Sequence, residues 1–449
     1  MIPNEQGKVT DMLAQGSRLL NEGKTKKIWE VAEDSSKVRI ESKDDITAGD
    51  GAKHDILDGK AALATNTTCN VFRLLRACDM PISFEKQCGA MEFLADKCVM
   101  LPYEVVVRRE AHGSYLKRAP HLMKGQVFPR LVLEFYLKTS GKKWKESALI
   151  CDDPLMIHDA DGAQILLYDP KQPNLAQKPS MPFLALPEVQ VFTQPDEEKL
   201  IEQMGNIARQ TFLVLEKAWQ LQGRKLVDFK VEFGINTQGK LRLADVIDND
   251  SWRVVDHSGG YIDKQVYREG GDLDTVTAKY REVADATDRF GVPSQRLIVW
   301  CGSEKDHFTA VEELIMKLEP KPQFQLLPIT CSVHKQPVLA YKLLQQHLQE
   351  EPCDSVIIAY IGRSNGVGPV LAANSTVPVI TVPAGYKEFP EDVWSSLRTP
   401  SNVPVMTVLE PANAVLAALQ ILAIRNPSIY AALRYLQEER LSNMLVLPS

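Results

Sequence analysis

Residues 226–253 read LVDFKVEFGINTQGKLRLADVIDNDSWR, and this stretch decides how the N-terminal half is built. Polar and apolar residues alternate through its first part, which is typical of a β-strand with one buried face. Gly239 can adopt the positive φ that tight turns need, so we predict a hairpin closed by the two-residue turn Gln238-Gly239. In this register Phe233 lies opposite Ala244 on the apolar face.

The same register sets two carboxylates, Glu232 and Asp245, directly opposite each other on the polar face. Like charges repel in this arrangement, and a divalent cation between them would remove the repulsion. Two carboxylates supplemented by phosphate oxygens suit Mg²⁺, so both residues are candidate metal ligands. Lys230 on the same face could hold a substrate carboxylate or phosphate. The alternative is a solvated polar face on which Lys230 neutralises one acid, and alternation alone does not separate these interpretations.

Length and composition indicate a globular protein with more than one domain. The chain has 449 residues and a formal net charge of −6, which argues against a general nucleic-acid-binding protein. Its eight cysteines show no paired metal-binding spacing and are typical of reduced cytosolic thiols. The sequence has neither the pattern of a signal peptide nor an apolar run of membrane-spanning length. We therefore expect a cytoplasmic protein that does not contact a membrane.

Two polar turns in the N-terminal half are candidate phosphate-binding elements. The segment EGKTK at 22–26 places Gly23, Lys24 and Lys26 at a strand junction, where backbone amides and lysines can approach phosphates. Arg108 lies near the end of an apolar strand, and Ser114 follows in a loop of small residues. The alternatives are a solvated basic loop, a surface arginine and a turn serine.

The remaining N-terminal segments set the limits of this half. We predict helices over residues 60–78 and 196–219 from their apolar spacing. The proline-rich segment 169–195 is expected to be an insertion or lid with little regular structure. A polar segment with Gly and Pro marks the end of the first domain.

From Leu297 onward, short apolar strands alternate with helices, which predicts a parallel sheet wound with helices. Ligands bind beyond the carboxyl ends of the strands in such sheets. Three loops with small, polar or charged side chains follow those ends, at residues 302–306, 332–335 and 362–366. Their convergence favours a binding site. The candidate residues in these loops are Ser303, Asp306, Ser332, His334, Lys335, Gly362, Arg363, Ser364 and Asn365.

Taken together, these motifs resemble a known family over most of the chain. The N-terminal motifs are EGKTK (22–26), VDFKVEFG (227–234) and LADVIDNDSWR (243–253), and the C-terminal motifs are SVHK (332–335), GRSNGVGPV (362–370) and DVWSSLRTP (392–400). They resemble the animal bifunctional purine-biosynthesis enzymes, in which phosphoribosylaminoimidazole carboxylase is fused to phosphoribosylaminoimidazole-succinocarboxamide synthase. The resemblance implies an α+β ATP-binding synthase domain at 1–285, a linker at 286–295 and an α/β carboxylase domain at 296–449.

For the synthase half, the resemblance implies ATP and Mg²⁺ as cofactors. ATP would phosphorylate a ribotide carboxylate, and the amine of aspartate would then displace phosphate. The residues implied are Gly23, Lys24 and Lys26 for ATP, Glu232 and Asp245 for Mg²⁺, Lys230 as the catalytic lysine, and Arg108, Ser114, Asp228, Arg253 and Arg268 for the ribotide.

For the carboxylase half, the resemblance implies direct addition of CO₂ to aminoimidazole ribotide with no cofactor. His334 would transfer the ring proton, and the other loop residues would bind the substrate. The family also implies a homo-octamer assembled through this domain.

Lys305 and Gln336 depart from the family pattern, and residues 411–424 are predicted to form an almost wholly apolar helix. These features keep open an active synthase whose C-terminal half serves mainly as an oligomerisation scaffold. A separate alternative is a kinase-like phosphotransferase, since a glycine turn, lysines and paired acids suit ATP generally.

Overall fold

The computed structural model describes residues 18–48, 53–175, 181–350 and 352–444. The chain divides into two compact units between Gly291 and Val292. The last helix of the first unit ends at Thr287 and the first strand of the second begins at Gln295. The connecting segment is therefore residues 288–294.

The first unit is built from two large antiparallel sheets with helices packed against them and two small two-stranded sheets. Its strands are β1 (Leu19–Glu22), β2 (Lys26–Glu30), β3 (Lys37–Ser42), β4 (Asp45–Ala48), β5 (Lys53–Ile56), β6 (Phe84–Gln87), β7 (Glu92–Asp96), β8 (Cys98–Glu110), β9 (Val127–Leu137), β10 (Lys143–Trp144), β11 (Ser147–Ala148), β12 (Leu155–Asp159), β13 (Gln164–Tyr168), β14 (Leu184–Pro187), β15 (Lys225–Asn236), β16 (Leu241–Ala244) and β17 (Trp252–Val255). Its helices are α1 (Lys60–Ala77), α2 (Ser114–Arg118), α3 (Glu188–Val191), α4 (Glu197–Leu221), α5 (Gln265–Arg268) and α6 (Leu273–Thr287).

The smaller of the two large sheets has the order β1-β2-β3-β7-β6, and the larger sheet has the order β14-β13-β12-β9-β8-β15-β16, with β17 also paired to β15. The two-stranded sheets are β4-β5 and β10-β11. Helix α1 packs on β3, β6 and β7, and α4 packs on β8, β9 and β15. Each helix buries one apolar stripe against its sheet, for example Phe72 of α1 beside Phe84, with ring centroids 5.6 Å apart. The expected α+β class is confirmed.

The hairpin at 226–253 forms, but its predicted register is wrong by one residue. Glu232 pairs with Ala244 and Phe233 with Leu243, so Asp245 lies just after β16. The turn contains three residues, because the side-chain oxygen of Asn236 accepts from Lys240 N at 3.0 Å and holds a longer loop closed. Glu232 and Asp245 are therefore not cross-strand partners.

The acid that lies directly opposite Glu232 is Glu104 on β8. The like-charge pair expected within the hairpin thus occurs across the neighbouring strand pair. Lys138 Nζ lies 2.7 Å from the Glu232 carboxylate, and Lys230 Nζ lies 2.9 Å from that of Glu104. These two lysines offset the repulsion between the facing acids.

The proline-rich segment 169–195 has more regular structure than expected. Residues 184–187 form β14, which pairs with β13 at the edge of the larger sheet, and α3 follows. Pro187 ends the strand, where no further ladder hydrogen bond is needed. Residues 176–180 lie outside the described part of the chain.

The second unit contains a parallel sheet with the order β19-β18-β20-β21-β22, as the alternating pattern predicts. Its strands are β18 (Gln295–Cys301), β19 (Gln325–Thr330), β20 (Asp354–Ile361), β21 (Val379–Pro383) and β22 (Met406–Thr407). Its helices are α7 (Ala310–Ile315), α8 (Pro337–Gln345), α9 (Val367–Ala373), α10 (Trp394–Leu397), α11 (Pro411–Ala423) and α12 (Pro427–Met444). Buried clusters lie on both faces of the sheet, with α11 covering one and α8 and α9 the other.

Candidate active sites

A cavity of about 540 Å³ lies in the first unit, with an apolar side and a charged end. Its apolar lining includes Ile28, Val38, Ile40, Met100, Leu101 and Pro102, and its charged lining consists of Lys26, Asp96, Lys97, Lys138, Glu232 and Asp245. Lys26, Lys138, Glu232 and Asp245 form two ion pairs, and we call this part the charged end. This division suits a ligand with a flat apolar group and an anionic tail. Gly23 and Lys24 lie in the exposed β1–β2 turn just before Lys26, and neither lines this cavity.

The charged end pairs each carboxylate with a lysine. Lys26 forms an ion pair with Asp245, and Lys138 contacts Glu232. Burial lowers the pKa of Lys26 to about 8, against the opposing effect of Glu232 and Asp248. Asp245 has a φ of +66°, a left-handed conformation that side chains other than glycine adopt at an energetic cost. Such backbone strain is concentrated at functional positions, which marks this carboxylate as a candidate site residue.

A second cavity of about 150 Å³ brings together the residues predicted to bind the ribotide. Its lining includes Arg108, Ser114, Asp228, Lys230, Arg253 and Arg268, together with Glu104 and Asp250. Cationic side chains outnumber acidic ones in this lining. The Arg253 Nε–H is buried and has no hydrogen-bond partner among the described residues. An anionic ligand would satisfy this donor.

Residues that line the two cavities lie along one face of the β8–β15 strand pair. Asp228 pairs with Arg108, Lys230 with Val106, and Glu232 with Glu104. Because side chains alternate along a strand, those six share one face of the sheet. The charged members of this face, Arg108, Asp228, Lys230, Glu104 and Glu232, form a row that begins in the smaller cavity and ends at Glu232 in the larger one. Lys230 and Glu104 therefore lie at the boundary between them.

Buried ion pairs fix the floor of the smaller cavity. Asp228 accepts from Arg108 at 2.7 Å and from Arg253 at 2.6 Å. Gly113 has a φ of +56°, and a Cβ at this position would overlap the guanidinium group of Arg253. Gly113 thus makes room for Arg253 and begins the turn that carries Ser114 into the cavity.

In the second unit, the three predicted loops follow β18, β19 and β20 at the carboxyl edge of the parallel sheet. The His334 Nε2 and Ser364 Oγ atoms lie 3.3 Å apart, which joins the second and third loops. In the first loop, Asp306 accepts from Ser303 N at 3.0 Å. In the second loop, Ser332 Oγ accepts from the backbone N–H of Lys335 at 3.3 Å and shapes the turn.

The third loop is fixed by contacts with residues 389–396, which sequence reasoning did not identify as site residues. Ser364 has a φ of +52°, and its backbone N–H donates to Asp392 at 3.0 Å. Asn365 is fully buried and donates to Ser396, so in this structure it supports the loop from within. The guanidinium of Arg363 lies 4.2 Å from the ring centroid of Phe389. Asp392 and Ser396 belong to the DVWSSLRTP motif (392–400), which the sequence analysis used to recognise the family but did not connect with this loop.

Comparison with known proteins assigns each unit to a family. The SAICAR synthetase family model matches residues 19–153 and 185–287, and the AIR carboxylase model matches residues 296–443. "Probable multifunctional protein ADE2" of Caenorhabditis elegans is 34% identical, covering 92% of this chain and 91% of that protein.

The bifunctional phosphoribosylaminoimidazole carboxylase/phosphoribosylaminoimidazole succinocarboxamide synthetase of Rattus norvegicus is 32% identical, covering 93% of this chain and 92% of that protein. The chain belongs to this bifunctional family. It combines a SAICAR synthetase domain with an AIR carboxylase domain and acts in purine biosynthesis.

Among solved structures, phosphoribosylaminoimidazole-succinocarboxamide synthase of Ehrlichia chaffeensis matches 60% of this chain and 98% of its own, with 26% identity and a TM-score of 0.47. Since the carboxylase family model covers most of the second unit, the scaffold alternative is not favoured. No helix in the described ranges is long and apolar enough to cross a membrane.

Sequence reasoning missed Glu104, Lys138 and Asp250 among the residues that line the synthetase cavities. Glu104 contacts the predicted Lys230, and Lys138 contacts the predicted Glu232. Glu104 alternates with Val106 and Arg108 in the sequence, so the alternation contained a signal. No pattern within the hairpin itself pointed to Lys138, which becomes a neighbour only through sheet pairing.

We predict that Gly113→Ala raises the KM for the ribotide substrate of the synthetase by about tenfold or more, because the new methyl group displaces Arg253 from its contact with Asp228. Gly125→Ala is the matched control: it also has a positive φ, but its Cβ would meet neighbours only at ordinary contact distance. Steady-state kinetics of both variants measure this. Equal KM values for the two would contradict the assigned role of Gly113.

We predict that Asp392→Ala lowers the kcat of the carboxylase on the order of 10- to 100-fold. The backbone N–H of Ser364 loses its acceptor, and the loop contacting His334 loses its fixed geometry. Glu391→Ala changes an exposed acid next to it and should leave kcat unchanged. An equal loss in both variants, measured by carboxylation without ATP, would show that local charge matters and loop geometry does not.

Proposed function

We propose that the synthetase domain activates the carboxylate of carboxylated aminoimidazole ribotide with ATP and transfers the acyl group to the amine of aspartate. The carboxylate oxygen would attack the γ-phosphorus, and ADP would leave. The aspartate nitrogen would then form the amide bond as phosphate departs with the former carboxylate oxygen. The observation that carries this proposal is the row of charged side chains joining the two cavities across β8 and β15.

In this proposal the larger cavity binds ATP. Its apolar side would accept the base, and Lys26 and Lys138 would contact the phosphates at the charged end. Gly23 and Lys24 would close over the phosphates from the β1–β2 turn. ADP is bound in a solved SAICAR synthetase.

Glu232 and Asp245 are proposed to hold Mg²⁺. Both are oxygen donors at the charged end of the ATP cavity, and both pair with lysines in this structure, which fits a cation-binding position. The described residues contain no cluster of three or more His, Cys, Asp or Glu side chains able to hold a metal. Phosphate oxygens and water would supply the other ligands. Bound there, Mg²⁺ would neutralise charge on the transferred phosphoryl group.

The smaller cavity is proposed to bind the ribotide through Arg108, Ser114, Arg253 and Arg268, with Asp228 holding two of these guanidinium groups. Lys230 would act as the catalytic lysine. It lies at the boundary with the ATP cavity and can offset charge as the phosphoryl group passes to the carboxylate. Its pKa is raised, since the carboxylates of Glu104 and Glu232 outweigh the effect of burial, so the side chain is protonated at neutral pH.

In the carboxylase domain, C4 of aminoimidazole ribotide is proposed to add to CO₂, after which His334 accepts the ring proton. Ser364 Oγ at 3.3 Å would orient the imidazole ring. The proposed substrate-binding residues are Ser303, Asp306, Ser332, Lys335, Gly362, Arg363, Ser364 and Asn365. No cofactor is needed for this step.

The arrangement of the whole chain is also a proposal. We place the synthetase domain at 1–285, the linker at 286–295 and the carboxylase domain at 296–449, close to the observed division of the structure. We further propose a cytoplasmic homo-octamer assembled through the carboxylase domain, with small molecules as its ligands. Exposed Val338 and Tyr341 on α8 offer an apolar surface for such contacts.

Two single substitutions should separate the two activities. His334→Ala should lower carboxylation by at least about 100-fold, the usual contribution of a positioned acid or base. Asp245→Asn keeps the side-chain shape and tolerates a positive φ, and should lower amide formation to a similar degree by removing metal-binding charge.

Each variant is the control for the other, since each should retain the activity of the unaltered domain. Carboxylation is measured from aminoimidazole ribotide and bicarbonate without ATP, and amide formation from carboxylated ribotide, aspartate and Mg-ATP. Loss of both activities in either variant, with the protein still folded, would contradict the assignment of separate sites.

A further inference from the structure

A buried carboxylate, Glu134 on β9, lies next to the smaller cavity without lining it. Its oxygens accept from Arg108 Nε at 2.8 Å, from Tyr136 Oη at 3.1 Å and from Arg118. Arg118 is 1% exposed and also donates to the backbone oxygen of Pro170 at 3.1 Å. Glu134 is therefore held from several sides.

These contacts form one chain of alternating charges that ends at the ribotide cavity. Its order is Arg118–Glu134–Arg108–Asp228–Arg253. Arg108 is bound at Nε by Glu134 and at Nη1 by Asp228, which fixes both the position and the plane of its guanidinium group. Although burial raises the pKa of Glu134, Arg108 and Arg118 lower it below its ordinary value, so this carboxylate is charged.

A contribution to folding stability does not explain why these charged side chains are buried. Replacing a buried ion network by packed apolar residues is often neutral or stabilising, so stability alone gives little reason to bury these charges. The network instead has an open end, since Arg108 and Arg253 face the cavity and the Nε–H of Arg253 lacks a partner among the described residues.

We propose that Glu134 is a positioning residue of the synthetase: it fixes the guanidinium group of Arg108 for the anionic ribotide, and Arg118 holds Glu134 in turn. This inference rests on the proposed function, in which the smaller cavity binds the ribotide. Glu134 acts on affinity for that substrate, because the phosphoryl donor binds in the other cavity.

The neighbouring residue on β8 provides a matched control. Arg109 Nε lies 2.6 Å from a carboxylate oxygen of Glu216 on α4, and Nη2 lies 3.3 Å from the other. This pair has the same chemistry and is also largely buried, but neither residue lines either cavity. Glu216→Gln therefore reproduces the general cost of removing a buried charge.

The experiment compares Glu134→Gln with Glu216→Gln in the full-length chain, varying carboxylated aminoimidazole ribotide at saturating Mg-ATP and aspartate. Glu134→Gln should raise the KM for the ribotide roughly 10- to 100-fold, the range for losing a charge-assisted hydrogen bond, and leave the KM for ATP unchanged. Glu216→Gln should change neither KM.

A double mutant distinguishes a positioning role of Glu134 from a general loss of protein stability. In the Arg108→Ala background, Glu134→Gln should cause little further rise in KM, because its effect passes through Arg108. Glu134→Asp keeps the charge and should partly rescue the KM, and it replaces Glu134→Gln if that variant does not fold.

An unchanged ribotide KM, equal rises in both KM values, or additive effects in the Arg108→Ala background would overturn the inference. If the wild-type chain forms no amide product, the proposed function fails separately. Calorimetric binding of the same ribotide to the wild type and to Glu134→Gln then still decides the role of Glu134: weaker binding supports it, and equal binding overturns it.

Discussion

The pairing of β8 with β15 is the constraint on which the N-terminal site depends. It sets Asp228 against Arg108 and Glu232 against Glu104, with Lys230 between them along the strand. A slip of one residue would move every one of these side chains to the other face of the sheet. The apolar residues on the opposite face, such as Phe229 and Phe233, are buried and fix the register. Packing of the core therefore determines which charged side chains lie opposite each other at the site.

The two domains present their sites on different architectures but share one physical feature. Asp245 and Ser364 both adopt a left-handed backbone conformation at the site, a strain of about 1–3 kcal/mol per residue. Each is held by a specific partner: Asp245 by Lys26, and Ser364 by Asp392 through its backbone N–H. In both domains the surrounding sheet is well packed, so the fold can maintain a strained residue at each proposed site.

Local patterns predicted much of this molecule, whereas long-range pairing decided the rest. Alternation in 226–253 correctly identified the buried face, and the alternating strands and helices after Leu297 correctly predicted the parallel sheet and its loops. The hairpin register failed because the side chain of Asn236 stabilises a three-residue turn. Glu104 and Glu134 belong to strands far away in sequence, so no spacing within the hairpin could point to them.

The charged side chains across β8 and β15 are proposed to place the ribotide carboxylate next to the terminal phosphate of ATP, where it is phosphorylated. The most direct measurement starts from carboxylated ribotide with ¹⁸O in its carboxylate, turned over with unlabelled ATP and aspartate. An acyl phosphate requires one labelled oxygen to pass to each inorganic phosphate, which mass spectrometry detects. Phosphate that carries one ¹⁸O per molecule is the result we predict. Unlabelled phosphate released in step with amide formation would contradict the account.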